Sequence, residues 1–208
     1  MKAHTKETQS AISPNKAIEL LKEGNARFVE NNEVTRDLLA QVTATSTGQY
    51  PFATVLSCID SRVSSEIIFD QGIGDIFSAR VAGNFVNEDI LGSMEFACKL
   101  AGTKVIVVLG HTACGAVKGA CDDAKLGNLT ALLSKIKPAV NAVKTPTDPG
   151  LRNSKNMDFV NEVAAKNVHL TIDNIRTQSP VLKEMEDSSA IQVVGAMYDI
   201  NTGIVTFY

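Results

Sequence analysis

The sequence predicts an α/β fold on a mostly parallel central β-sheet flanked by helices, and three observations carry that expectation. Short apolar runs at 52–56, 76–81 and 104–109 have the length and β-branched character of buried strands. Segments with helical spacing separate them, which implies right-handed βαβ units. The chain then closes on IQVVGAMYDI and GIVTFY around Asn201-Thr202-Gly203, the pattern of an antiparallel hairpin. A chain of 208 residues suits one domain with a sizeable core. We expect residues 1–208 to form that domain, with 1–50 as an N-terminal helical arm and 51–208 as the α/β core.

Taken in order, residues 1–12 are polar and expected to be loose. Ser13-Pro14 reads as an N-cap followed by proline at the first helical position. Ile18, Leu21, Phe28 and Val29 give that helix one apolar side, while Gly24 weakens it. A second helical piece covers 35–44. The first strand ends at Ser57-Cys58, a helical stretch follows at 63–69, and 76–81 forms the next strand. Asn87 caps a helix whose Ile90, Leu91, Met94, Ala97 and Leu100 follow helical spacing, and Gly102 stops it. The segment KVIVVL at 104–109 is the clearest buried strand, and a helix follows from Cys114. Residues 128–143 are helical, with Pro138 able to divide them. The Pro- and Gly-rich 144–153 is a loop. A long helix over 154–177 carries Met157, Val160, Ala164, Val168, Ile172 and Ile175 on one side, and Ser179-Pro180 repeats the cap-plus-proline signal.

Composition excludes several classes of function. Twenty Lys+Arg against 23 Asp+Glu leave a net charge of −3, which gives no electrostatic footprint for nucleic acid. The longest apolar runs fall far short of a membrane span, and residues 1–16 lack the apolar stretch of a secretory signal. Four cysteines in a chain this long make no disulfide framework, so a cytoplasmic, reducing compartment is expected.

Two clusters carry the chemistry: CIDSR at 58–62 and HTAC at 111–114. Each follows a predicted strand, and in an open parallel sheet ligands bind in the crevice beyond the strand C-termini. If those strands are neighbours, Cys58, His111 and Cys114 converge there. Two thiolates and an imidazole suit Zn²⁺, and three protein ligands leave the fourth position open, as in a catalytic zinc site. Cys114 also lies at a predicted helix N-terminus, where the dipole favours thiolate. Asp60 and Arg62, two residues apart, can project together into the cleft. An aspartate paired with arginine stays ionised and accepts hydrogen bonds. Alone, the same two residues read as a helix cap and a solvated arginine.

CIDSR followed by HTACG resembles the β-class carbonic anhydrases. The likeness extends to LKEGNARFV, ARVAGNFV and GAMYDINTGIV, which spread over most of the chain. It implies one Zn²⁺ per subunit held by Cys58, His111 and Cys114, with Asp60 and Arg62 as the catalytic dyad. The implied reaction is reversible hydration of CO₂ to bicarbonate and a proton by zinc-bound hydroxide, which Asp60 orients. The resemblance also implies a homodimer with active sites at the interface and N-terminal helices embracing the partner; many members pair dimers into tetramers. Gln49, Phe77 and Phe96 match substrate-pocket positions, Gln49 as a donor to substrate oxygen and the phenylalanines as apolar walls. Phe96 would reach in across the interface, at a position where many relatives have Tyr. Gly115 would let its backbone N–H approach a bound oxygen. Core packing explains the two phenylalanines equally well, as a surface loop does Gln49 and a tight helix start Gly115.

In part of the family the aspartate leaves its arginine and occupies the fourth zinc position; the motif permits both states. Some bacterial members carry an inhibitory bicarbonate pocket built around a Trp three residues before the first zinc cysteine. Here Val55 stands there and the chain has no Trp, so no such inhibition is expected. Arg80 and Tyr198 match other parts of that pocket and are assigned to fold and interface. Cys98 and Cys121 are assigned to helix packing, His4 to the loose N-terminus and His169 to a solvated position on the long helix, leaving no evident proton shuttle. Two other readings stand beside the main one. The same site could hydrolyse COS or CS₂, or the chain could be a zinc-bound module without catalysis, against which the Asp60–Arg62 pair argues.

Overall fold

The apolar runs become three strands of a five-stranded sheet in a computed structural model that describes residues 3–208. Its strands are β1 (Ala53–Ser57), β2 (Ile76–Arg80), β3 (Val105–His111), β4 (Gln192–Tyr198) and β5 (Val205–Phe207). They lie in the order β2-β1-β3-β4-β5, the first four parallel and β5 antiparallel to β4. Every residue of β1 and β3 is buried, as expected of parallel strands covered on both faces. Edge strand β2 alternates between sheltered and exposed positions.

Among the described residues, ten α-helices surround the sheet: α1 (Lys6–Ser10), α2 (Pro14–Val29), α3 (Leu38–Thr45), α4 (Ser65–Ile68), α5 (Glu88–Glu95), α6 (Gly115–Cys121), α7 (Gly127–Ser134), α8 (Lys137–Ala142), α9 (Met157–Gln178) and α10 (Pro180–Asp187). The period-2 geometry of β3 divides them between two faces. Val105, Val107 and Leu109 pack with Ala17 and Leu21 of α2 and with Ile68 at the end of α4. Ile106 and Val108 pack with Met94 of α5, Val168 and Ile172 of α9, and Leu182 of α10. A third apolar cluster joins Cys58 and Cys114 to residues of α6, α7, α8 and α9, so a packed floor lies beyond the C-terminal ends of β1 and β3.

The predicted caps form. Ser13, Asn87 and Ser179 each accept a hydrogen bond from the backbone N–H three residues on, satisfying donors that a helix start leaves free. Gly102 ends its helix in the left-handed region (φ +85°), after a π-helical turn at Phe96–Leu100. Several boundaries differ. Residues 3–12 are not loose: Thr5 and Thr8 form a capping box, and α1 is pinned by Gln9. The Gln9 amide is buried and donates to the carbonyls of Pro51 (2.6 Å) and Ala101 (2.8 Å). Residues 1 and 2 lie outside the described part. The helical stretch at 128–143 is two helices, with Pro138 in the first turn of α8. Strand β3 continues through His111, which pairs with Tyr198 of β4, and α9 starts at Met157 under an Asn156 cap. Among the described residues, no helix is long and apolar enough to cross a membrane.

Candidate metal centre

Because β1 and β3 are parallel neighbours with Ser57 opposite Leu109, their ends deliver the two motifs to one place. Cys58 is the first residue after β1, His111 is the last of β3, and Cys114 is the N-cap of α6. The ligand atoms of these three residues lie within 4.8 Å of one another, and all three residues are buried. His111 Nδ1 lies 2.9 Å from the carbonyl of Thr112, so it is assigned as the protonated nitrogen. That leaves Nε2 as a buried lone pair with no hydrogen-bond partner among the described residues. An orphaned imidazole nitrogen beside two buried sulfurs is costly unless a cation satisfies it. The donor set therefore fits a thiophilic divalent metal.

The sulfurs lie 3.9 Å apart. The hydrogen bond from Cys114 pushes the Cys58 thiol well below its usual range despite burial, with the N–H groups of Gly83 and Asp60 helping. The Cys114 thiol is pushed strongly up by its bond to Cys58 and by burial. Like charges this close do not both ionise in an apolar site without a cation to balance them.

At the rim, Arg62 grips Asp60 in a fork: Nε donates to Oδ1 at 2.9 Å and Nη2 to Oδ2 at 2.8 Å. The backbone N–H of Arg62 adds a third bond to Oδ1 at 3.0 Å. The Arg62 hydrogen bonds hold the Asp60 carboxyl well below the usual carboxylate range, against a smaller effect of burial. Asp60 Oδ2 lies 3.9 Å from His111 Nε2, so the carboxylate borders the buried trio while remaining paired with arginine.

The carbonic anhydrase family profile matches residues 53–205, which holds both motifs and most of the sheet. Carbonic anhydrase 2 of Mycobacterium tuberculosis is 35% identical over 92% of this chain and 91% of its own length. The β-carbonic anhydrase CafA of Aspergillus fumigatus superposes with a TM-score of 0.71 at 25% identity, covering 93% of this chain and 89% of that one. One of two tetrameric β-carbonic anhydrases from Sordaria macrospora gives 0.68 at 25% identity, over 79% and 84%. The chain belongs to the β-carbonic anhydrase family.

In this β-carbonic anhydrase the expected pocket residues lie on β2 (Phe77), at the end of α5 (Phe96), on the loop before β1 (Gln49) and at the start of α6 (Gly115). Phe77 and Phe96 meet edge to face, with ring centroids 6.2 Å apart. They line an open groove of about 670 Å³ beside edge strand β2, and none of the three metal-capable residues lines it. Gln49 is exposed on the loop before β1, whereas Cys58 follows the far end of that strand. A strand of five residues spans roughly 17 Å, so Gln49 does not reach the trio of its own chain. Gly115 opens α6, and a Cβ there would meet nothing within 4 Å, so tight packing is not the reason for that glycine.

Arg80, which the sequence assigned to fold and interface, holds the loop that carries Cys58 and Asp60. Its Nε donates to the Cys58 carbonyl at 3.0 Å and its Nη2 to the Asp60 carbonyl at 2.7 Å. The parallel register of β2 on β1, with Arg80 opposite Ser57, was the signal that would have found it. Cys98 and Cys121 are buried, and burial pushes both thiols up to about 11, in keeping with packing roles. His169 is exposed but stacks on Tyr208, and His4 packs edge-on against Phe52.

Proposed function

We propose that this carbonic anhydrase interconverts CO₂ and bicarbonate plus a proton, using one zinc ion per subunit held by Cys58, His111 and Cys114. The observation that carries this reading is the Asp60–Arg62 fork beside the unpartnered His111 Nε2. A metal that only stabilised the fold would need neither residue. When bound, zinc supplies the Lewis acidity that makes hydroxide available from water near neutral pH.

The chain's own groups do the rest. Asp60, kept ionised by Arg62, accepts the hydrogen bond that orients the attacking hydroxide and aims its lone pair at the carbon of CO₂. Arg62 also keeps Asp60 from turning inward to the metal. The Thr112 carbonyl holds the His111 ring in its ligating tautomer. Open space beside Gly115 lets its N–H approach a substrate oxygen. We assign Gln49 and Phe96 to the pocket of a neighbouring subunit and Phe77 to the apolar wall. The supporting features are the placement of Gln49 and the exposed Leu38, Leu39, Val42, Ile67 and Ile73, which a homodimer would cover. Dimers would pair as in the tetrameric Sordaria relative. Four free thiols suit a cytoplasmic setting.

Stopped-flow CO₂ hydration with zinc quantified on the same sample tests the proposal. We expect about one zinc per chain, activity lost on chelation and restored by Zn²⁺. Asp60→Asn should keep its zinc while losing about a hundredfold or more in kcat/KM. Full zinc occupancy with no hydration would overturn the reading, and COS in the same assay shows whether a second heterocumulene is accepted.

A further inference from the structure

Two segments border the three metal-capable residues, the turn at 111–114 and the loop after β2, and the long helix α9 touches both. Asn161 Oδ1 accepts from the backbone N–H of Ala113 at 2.9 Å. Ala113 lies between His111 and Cys114 with φ +55°, a region that L residues with a Cβ seldom occupy. This bond therefore holds the turn that brings Cys114 back to His111. Further along α9, Asn167 Nδ2 donates to the Gly83 carbonyl at 2.8 Å, and the Gly83 N–H donates to Cys58 Sγ at 3.4 Å. Gly83 itself sits at φ +82°, where a Cβ would come within 2.3 Å of Ile136 Cδ1. The backbone there has little freedom except through its partners.

Asn167 is 3% exposed, on a stretch where Ala164, Val168 and Thr171 are also buried. A polar side chain so placed is costly unless paired, and its amide donor is spent on the loop that touches a metal ligand. Helix α9 comes close enough because the strands beneath it carry glycines. A Cβ at Gly110, the residue before His111, would stand 2.6 Å from Val168 Cγ2, and one at Gly195 would stand 2.8 Å from Val168 Cγ1.

We propose that Asn161 and Asn167 are positioning residues of the metal centre, bracing from one rigid helix the turn that presents Cys114 and the loop after β2 whose Gly83 N–H holds the Cys58 sulfur toward a thiophilic divalent cation. The inference rests on the metal reading given above. It makes opposite demands on the two amides: Asn161 must accept a hydrogen bond, and Asn167 must donate one. Asn161→Asp keeps an acceptor in place. Asn167→Asp loses the donor and sets a carboxylate against a carbonyl oxygen. A role confined to fold stability would follow the same donor and acceptor pattern in the melting of the metal-free chains but would leave metal affinity and the cobalt bands of the folded variants unchanged.

The test uses the full chain stripped of metal, titrated with Zn²⁺ against a chromophoric chelator and separately with Co²⁺. The cobalt charge-transfer and d–d bands report thiolate ligation and tetrahedral geometry, and thermal melting of the metal-free chains is followed in parallel. Asn161→Leu, Asn167→Ala and Asn167→Asp should bind zinc about tenfold more weakly and shift the cobalt bands, with Asn161→Asp within about twofold of the parent. Should the Asn167 variants fail to fold, the Asn161→Leu and Asn161→Asp pair decides. Unchanged zinc affinity and cobalt spectrum in the folded variants overturns the proposal, as does Asn161→Asp binding as weakly as Asn161→Leu. A parent chain that takes up neither metal overturns this proposal and the metal reading together, whereas equal binding by parent and variants overturns this one alone.

Discussion

Asp70 shows how much a single buried charge contributes to holding the N-terminal arm. Its side chain is 2% exposed, yet it receives Nε of Arg27 at 2.5 Å, Nη1 of Arg36 and the N–H of Val34 at 3.2 Å. Burial works to raise its pKa, but the two guanidinium groups outweigh burial and carry the carboxyl below its ordinary value. A folded-state pKa below the unfolded one means stability that is present above about pH 4 and lost as the pH falls through the folded value. Asp70→Asn keeps a residue type that tolerates the φ of +45° found there, so the backbone should survive the change. It should cost about 3 kcal/mol at neutral pH, because two guanidinium groups lose their counter-charge. Urea unfolding across a pH series checks this: the deficit should shrink below about pH 4, and a constant deficit would contradict the assignment. Val55 supports a second prediction at this scale. It is wholly buried in β1 within an apolar cluster, at the position where the resemblance places Trp in bicarbonate-inhibited members. Bicarbonate titration in mildly alkaline buffer should show no steep, cooperative inhibition.

Helix α2 separates what a local pattern says from what packing demands. Its cap, its proline and its apolar side are all readable along the chain, and its Gly24 reads as a weak point. In the fold, a Cβ at Gly24 would sit 1.9 Å from the Phe69 carbonyl oxygen, so the glycine is what lets the helix seat on that backbone. Helix propensity alone predicts that Gly24→Ala gains about 1 kcal/mol. The steric conflict predicts a loss of about 1–3 kcal/mol, and we expect the loss to prevail, seen as a lowered denaturation midpoint. Helix α1 fails in the other direction. Five residues are too few to announce themselves, and this helix persists because Gln9 bonds the carbonyls of two distant segments. Strand β3 likewise gains His111 through pairing with β4, which no window along the chain contains.

For the whole molecule, the decisive fact is that Gln49 and the metal-capable trio lie at opposite ends of β1. A site built with Gln49 needs a second chain, and α3 offers an apolar face on which to seat it. Leu39 is 79% exposed there, so Leu39→Arg changes little within one chain. Sedimentation velocity should give a dimer or larger for the parent and a monomer for Leu39→Arg. The variant should retain its zinc and lose at least about tenfold in CO₂ hydration through the missing pocket groups. A fully active monomer would contradict the shared-site reading.

The strands, caps and both metal-site motifs were legible because each depends on neighbours a few residues away: side-chain period, a capping oxygen, a cysteine at a strand end. The motifs could be joined into one site on the condition that β1 and β3 are adjacent. Only the tertiary structure supplied that adjacency, through the order β2-β1-β3-β4-β5. It also gave Arg80 its partners in the loop of Cys58 and Asp60, gave Asn167 its partner Gly83 beside Cys58, and set Gln49 on the loop before β1. None of those relations has a local signature. They arise from packing, whose many weak contacts join residues that the chain itself keeps far apart.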